Sequence, residues 1–509
     1  MLRRGEKRLL SVLAFAATQA AIAVAQSRPV DERHAPRFEI TFDVGVCGQP
    51  YAGRVFVLLS TGETAWPLAV SRWFQPEPFF AQEVQHWRPG ESLVLDPRKC
   101  VGYPGGLDDL PPGQYGAQAV MVLNRWSHRV VNVPGNGYSG VVTFKHDPQK
   151  PPTVRLRITA TLPRFDFKDT KILKYVEVKS DSLTRFYGHD VYLKAAVKLP
   201  ATYQPDSDRQ YPTLYIIPGF GGTVAEARFM FSMFPFDDAG LELVSVYLDS
   251  DCPAGHHVYA DSANNGPWGR ALVTELIPHL EKEFRLIQHV DARYLTGHSS
   301  GGWSSLWLQI TYPDVFGGVW STSPDPVDFH AFQWVDIYDA GANVFFDSDG
   351  KERMVGRHGP FAQLTVRQMS DVEAVFGRGG QLYSFQAVFS PRSSDGRPQF
   401  LYDLRTGRVN PKAAEAWRKY DICHILESGW PTLGPKLEGK LHVLCGDADT
   451  FFLERAVHRL RDTLKRLDSD AQVELIPGAG HMLPPSVYER IGRQIAEHFE
   501  RRYVEPRNK

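Results

Sequence analysis

Apolar and polar residues alternate along the first third of the chain, and a period of two is the mark of half-buried β-strands. Phe38, Ile40, Phe42, Val44 and Val46 fall on one face, as do Tyr115, Ala117, Ala119, Met121 and Leu123. Val154, Leu156 and Ile158 alternate with Arg155 and Arg157. Pro/Gly turns such as Pro104-Gly105-Gly106 and Pro111-Pro112-Gly113 separate these runs, with no helical period between them. Strands joined by short turns predict a β-sandwich-like domain over residues 30–165. Nothing catalytic stands out in it.

From about residue 170 the pattern changes. Residues 174–178 and 191–199 read as two leading strands. Residues 213–217 and 243–247 are short apolar runs, suited to strands covered on both faces, and residues 319–321, 441–445 and 473–476 read as the later strands. Between Pro267 and Phe284, the residues Trp268, Leu272, Leu276, Ile277, Leu280 and Phe284 recur at helical spacing, with proline at the start. A closing helix is expected over Pro485–Phe499. Strands alternating with helices predict a doubly wound α/β sheet over residues 170–505. It is interrupted by an insertion at about 325–440, far longer than an ordinary connection, and excursions of that length usually serve as lids or binding elements. Within it, Asp347-Ser348-Asp349-Gly350 resembles half a calcium loop without the later glutamate, so a plain turn is expected.

The sharpest chemical signal is Gly297-His298-Ser299-Ser300-Gly301, with an apolar run before it and a helical pattern after it. Strand, tight turn and helix in that order form a nucleophile elbow, which lifts one serine out of the end of a sheet. Gly297 and Gly301 flank Ser299 where side chains would collide with neighbouring backbone. Ser299 would sit at a helix N-terminus, where free N–H groups favour developing negative charge. A serine hydroxyl needs a base, and the base needs a third group to hold it. His481 follows the last strand in Gly478-Ala479-Gly480-His481 and is the expected base. Asp449 is the favoured acid, with Asp447 two residues earlier and Asp325 or Asp328 as alternatives. The oxyanion donors are expected to be the backbone N–H groups of Ser300 and Phe220, the latter in the loop Pro218-Gly219-Phe220-Gly221-Gly222. His256, His257 and Trp268 follow the fourth strand on the same rim and are expected to line the substrate cleft, a network of turn caps being the alternative. No third ligand accompanies the paired histidines at a telling spacing, so no metal site is expected.

Composition narrows the partners. Lys+Arg number 57 against Asp+Glu 58 in 509 residues, which excludes the basic footprint of a nucleic-acid binder. Residues 1–25 carry a positive start (Arg3, Arg4, Lys7, Arg8), an apolar stretch and Ala23-Val24-Ala25, the form of a cleavable signal peptide. The chain is therefore expected to be exported, periplasmic or extracellular, with no membrane insertion after signal removal. Five cysteines in such a chain leave one unpaired, and Cys47 with Cys100 is the expected bridge.

At these motifs the chain resembles the esterase family of α/β-hydrolases that includes esterase D, enterochelin esterase, feruloyl and acetylxylan esterases and the mycobacterial mycolyltransferases. The resemblance rests on Tyr211-Pro212, Phe220-Gly221-Gly222, the run from Gly297 to Gly302, Tyr312-Pro313-Asp314-Val315-Phe316-Gly317, Ser323-Pro324, Gly446 to Asp449 and Gly480-His481. Pro218 departs from it, since relatives commonly carry histidine before Gly219. The resemblance implies an α/β-hydrolase fold and hydrolysis of acyl esters through an acyl-serine intermediate, without a cofactor. A small-molecule or carbohydrate-linked ester, feruloyl or acetyl, is the expected substrate. A prolyl-oligopeptidase-type peptidase, an acyltransferase and a non-catalytic binding protein on the same scaffold are the competing expectations.

Overall fold

The computed structural model describes residues 31–61, 76–234, 236, 240–358 and 362–507, and the expected signal segment lies outside them. Nine strands come first: β1 (Arg37–Phe42), β2 (Tyr51–Thr61), β3 (Phe79–Trp87), β4 (Leu93–Val94), β5 (Val101–Tyr103), β6 (Gly113–Met121), β7 (Gly137–Ser139), β8 (Val142–His146) and β9 (Thr153–Thr161). They join in one hydrogen-bonded network, β4-β1-β9-β7-β6-β2-β3-β5, with β8 also paired to β6. The alternation works as the sequence implies: Phe38, Ile40, Phe42, Val154, Leu156 and Ile158 are buried and Arg155 and Arg157 are exposed. Val44 is the exception. The strand ends at Phe42, a turn follows, and Val44 is left exposed.

Eight further strands form a second sheet: β10 (Leu173–Lys179), β11 (Tyr192–Lys198), β12 (Thr213–Ile217), β13 (Val244–Leu248), β14 (Arg293–His298), β15 (Gly318–Thr322), β16 (Leu441–Gly446) and β17 (Gln472–Ile476). Their order is β10-β11-β13-β12-β14-β15-β16-β17. The first three are antiparallel neighbours and the remaining pairings are parallel. Each of β12, β13 and β15 is buried along its whole length, as strands with helices on both faces must be. This is the α/β-hydrolase sheet, and its parallel strands carry their C-terminal ends to one rim, where ligands bind in open α/β folds.

The helix expected after Pro267 forms in three pieces: Trp268–Ala271, a π turn over Leu272–Leu276, and Ile277–Phe284. Pro278 has no N–H to give the turn before it, and a widened turn removes the demand. The helix Ser300–Thr311 buries all but two of its residues, and Pro485–Phe499 closes the fold. Asp347 Oδ1 accepts from the N–H groups of Asp349 and Lys351, an ordinary Asx turn.

The expected Cys47–Cys100 bridge is absent, and all five cysteines are free thiols. Cys47 donates to the Gln49 carbonyl at 3.3 Å, and Cys100 is buried in the core of the first sheet. Among the described residues, no helix is long and apolar enough to cross a membrane.

Candidate active site

Ser299 sits between β14 and the helix Ser300–Thr311 with φ 60° and ψ −123°, a conformation that side chains rarely tolerate. The surroundings enforce it. A Cβ on Gly297 would run into the Gly301 carbonyl, and one on Gly301 into the Ile217 carbonyl. Ser299 N–H donates to the Thr322 carbonyl at 3.0 Å, and Asp325 N–H donates to the Ser299 carbonyl at 3.1 Å.

His481 lies beyond β17, with its carbonyl held by the Ser323 hydroxyl at 2.9 Å. Its Nδ1 is 2.8 Å from Asp449 Oδ2, and Asp449 is fully buried. The other Asp449 oxygen accepts from Phe451 N–H at 2.7 Å, which fixes the carboxylate plane. The alternatives are engaged elsewhere. Asp447 accepts from Gly478 N–H, and Asp328 pairs with Arg459. Asp325 is engaged beside the serine: Ser299 Oγ donates to it over a long 3.5 Å, Ser300 Oγ at 2.5 Å and Gln381 Nε2 at 3.1 Å. Burial pushes the Asp325 carboxyl up to about 6, against the pull of the Ser300 hydroxyl.

Ser299 and His481 line one pocket of about 260 Å³. Gly219 and Phe220 form a further wall, and a Cβ on Gly219 would lie 3.3 Å from Ser299 Cβ, so this loop touches the elbow. The long segment between β15 and β16 contributes Phe332, Gln333, Val355, Met369, Leu382 and Phe385 to the lining. Sequence patterning gave no sign of these residues, because they reach the serine only through tertiary packing.

His256, His257 and Trp268, expected in the cleft, are buried and do not line this pocket. His257 stacks on Trp268 with ring centroids 3.8 Å apart. His256 Nδ1 accepts from Val258 N–H at 2.9 Å, so its Nε2 carries the proton and donates to the Pro218 carbonyl at 3.1 Å. Burial lowers its pKa to about 4, and the ring stays neutral. The apolar neighbours Val258, Tyr259 and Ala260 draw this segment into the core, where His256 braces the loop carrying Phe220 from behind. An imidazole therefore stands beside Pro218 although the chain lacks a histidine there.

Residues 190–373 match the family model described as "Putative esterase". Over those residues the chain is similar to that esterase family. The match takes in Ser299 and stops short of Asp449 and His481. Among curated proteins, none matches the chain. Solved structures similar to this chain include a ferulic acid esterase (14% identity, 64% of this chain and 98% of the other, TM-score 0.41). An S-formylglutathione hydrolase from Agrobacterium tumefaciens is 16% identical over 65% and 97% of the two chains, with a TM-score of 0.39. A CE1 ferulic acid esterase from Anaeromyces mucronatus, solved in complex with ferulic acid, is 14% identical over 65% and 93%, with a TM-score of 0.32.

Proposed function

We propose that this esterase cleaves carboxylic esters through an acyl-Ser299 intermediate, with His481 as base and Asp449 as its orienting acid. The observation that carries the proposal is one pocket lined by both Ser299 and His481, with Asp449 on the far side of the imidazole at 2.8 Å. The carboxylate holds the proton on Nδ1 and leaves Nε2 basic. Ser299 Oγ attacks the ester carbonyl carbon while its proton passes to His481 Nε2. The backbone N–H groups of Phe220 and Ser300 take the oxyanion. Collapse of the tetrahedral intermediate breaks the bond to the alcohol oxygen, which leaves with the proton from His481. Water then repeats the sequence on the acyl-enzyme and releases the acid.

The lining favours an uncharged, largely apolar acyl group, because phenylalanine, leucine, valine and methionine make up much of the walls and, among the described residues, no lysine or arginine lines the pocket. A feruloyl or acetyl group on a carbohydrate is our finer assignment. We further propose that residues 1–25 direct export, and that residues 30–165 form a sandwich-like unit ahead of the hydrolase at 170–505, whose insertion covers about 325–440. Support for the sandwich comes from one apolar core to which β1, β2, β3, β6 and β9 all contribute.

The test is a panel of acetyl, longer acyl, feruloyl and siderophore esters with wild type and Ser299→Ala. Loss of the serine oxygen should cost on the order of 10⁶ in kcat. Full turnover by Ser299→Ala would end the mechanism. Sequencing the N-terminus of secreted protein tests export, with Gln26 expected first.

A further inference from the structure

The loop carrying Phe220 is held from outside the second sheet. The segment between β6 and β7 crosses to it and places His128 and Arg129 against it. Arg129 Nη2 donates to the Gly221 carbonyl at 2.9 Å and to Glu226 Oε1 at 2.6 Å. His128 packs its ring edge-on to Phe220, with centroids 5.4 Å apart. Its Nδ1 is 2.8 Å from Asp251 Oδ1, and the same carboxylate oxygen accepts from His128 N–H. Arg129 Nε donates to His128 Nε2 at 3.2 Å, so the ring is fixed from both nitrogens. Gly221 has φ +85°, and a Cβ there would sit 3.4 Å from His128 Nε2, so the contact is closely fitted. The crossing segment is also tied to the long insertion, because Arg378 Nη1 donates to the Ser127 carbonyl at 2.9 Å and the Pro253 carbonyl at 3.0 Å.

We infer that His128 and Arg129 are positioning residues for the oxyanion-binding loop, so that the first β region sets the aim of the Phe220 N–H at the reacting carbonyl. This rests on the esterase reading above. A carbonyl pinned at Gly221 fixes the peptide plane between Gly221 and Gly222, two planes beyond the one that carries the Phe220 N–H, and the His128 ring limits where the Phe220 side chain can go. Neither residue touches substrate. Their effect should therefore fall on the oxyanion and leave the acyl pocket as it is, which is a transition-state loss without a ground-state loss.

The experiment compares full-length wild type, Arg129→Ala, Arg129→Lys, Arg155→Ala and Ser299→Ala on p-nitrophenyl butyrate, with a trifluoromethyl ketone of the same chain length as probe. Ser299 Oγ adds to the ketone carbon, its proton passes to His481, and the ketone oxygen becomes the oxyanion. Arg129→Ala should lower kcat about ten- to a hundredfold, with KM within about threefold. It should weaken the ketone by the same factor as kcat/KM. Arg129→Lys, which keeps one donor, should recover part of both losses. Arg155 faces solvent on the first sheet and pairs with Glu39, so Arg155→Ala should behave as wild type. Unchanged kcat and ketone affinity in Arg129→Ala would overturn the inference while an inactive Ser299→Ala left the esterase reading standing. Turnover by Ser299→Ala would remove both. If Arg129→Ala does not fold, Arg129→Lys carries the comparison, and equal loss of ketone and butyrate affinity in it would overturn the inference.

Discussion

Replacing Asp449 with asparagine isolates the most consequential hydrogen bond of the site. The two side chains have the same shape, and Asp449 is fully buried, so little else should move. The asparagine carbonyl can keep the 2.7 Å bond from Phe451 N–H. Its amide group then faces His481 Nδ1 at the position where the carboxylate oxygen accepted at 2.8 Å. An amide N–H only donates, so Nδ1 must accept and the imidazole proton moves to Nε2. That is the nitrogen required to receive the Ser299 proton. An imidazole held in the wrong tautomer costs about 10⁴ in kcat, which is about 5.4 kcal/mol at 1.36 kcal/mol per decade. Steady-state kinetics on a p-nitrophenyl ester give the number, and a thermal melt shows that the fold is intact. Asp325→Asn serves as the comparison. It removes a buried charge near the imidazole but leaves the tautomer alone, so its loss should stay within about tenfold. A kcat for Asp449→Asn within tenfold of wild type, or a larger loss in Asp325→Asn, would refute the assignment of the acid.

Two other outcomes are expected. Phe385 lines both the main pocket and a small adjoining apolar cavity of about 20 Å³, so Phe385→Ala should join them. The kcat/KM ratio for octanoyl over acetyl esters should then rise about tenfold, the order that one or two added methylenes can supply; an unchanged ratio would show that the acyl chain lies elsewhere. Asp325 should make stability depend on pH. Its folded pKa of about 6 exceeds the ordinary 3.8, so between those values the folded chain keeps a proton that the unfolded chain gives up. The contribution is complete below about pH 4 and is lost as pH rises through about 6. The melting temperature of Asp325→Asn relative to wild type should climb across that window, and a fall would contradict the burial argument.

The second sheet was legible because strands covered on both faces must be apolar throughout, and short apolar runs between helical stretches suit little besides such strands. The elbow was legible because backbone crowding at Gly297 and Gly301 admits only glycine. The choice between Asp447 and Asp449 was not, since the two lie two residues apart and only the turn of the chain decides which carboxylate meets the ring. His256, His257 and Trp268 misled for a related reason. Sequence places them on the correct rim but says nothing of depth, and the apolar residues beside them pull the segment inward. The bridge expected between Cys47 and Cys100 came from the expectation of export, a statement about compartment that carries no distance. Arg129 and Gly221 lie 92 residues apart and share no periodicity, so only packing brings them together.

The serine and its base stand on unequal footing. Ser299 caps a helix sunk almost wholly in the interior, whereas His481 hangs from a loop beyond β17, the outermost strand of its sheet, with half-exposed and exposed residues along it. Fraying of that single edge would carry the imidazole away from the hydroxyl while every other strand stayed in place. Such a molecule can fall silent and recover without ever losing its shape, and its working lifetime is set at the margin of the sheet.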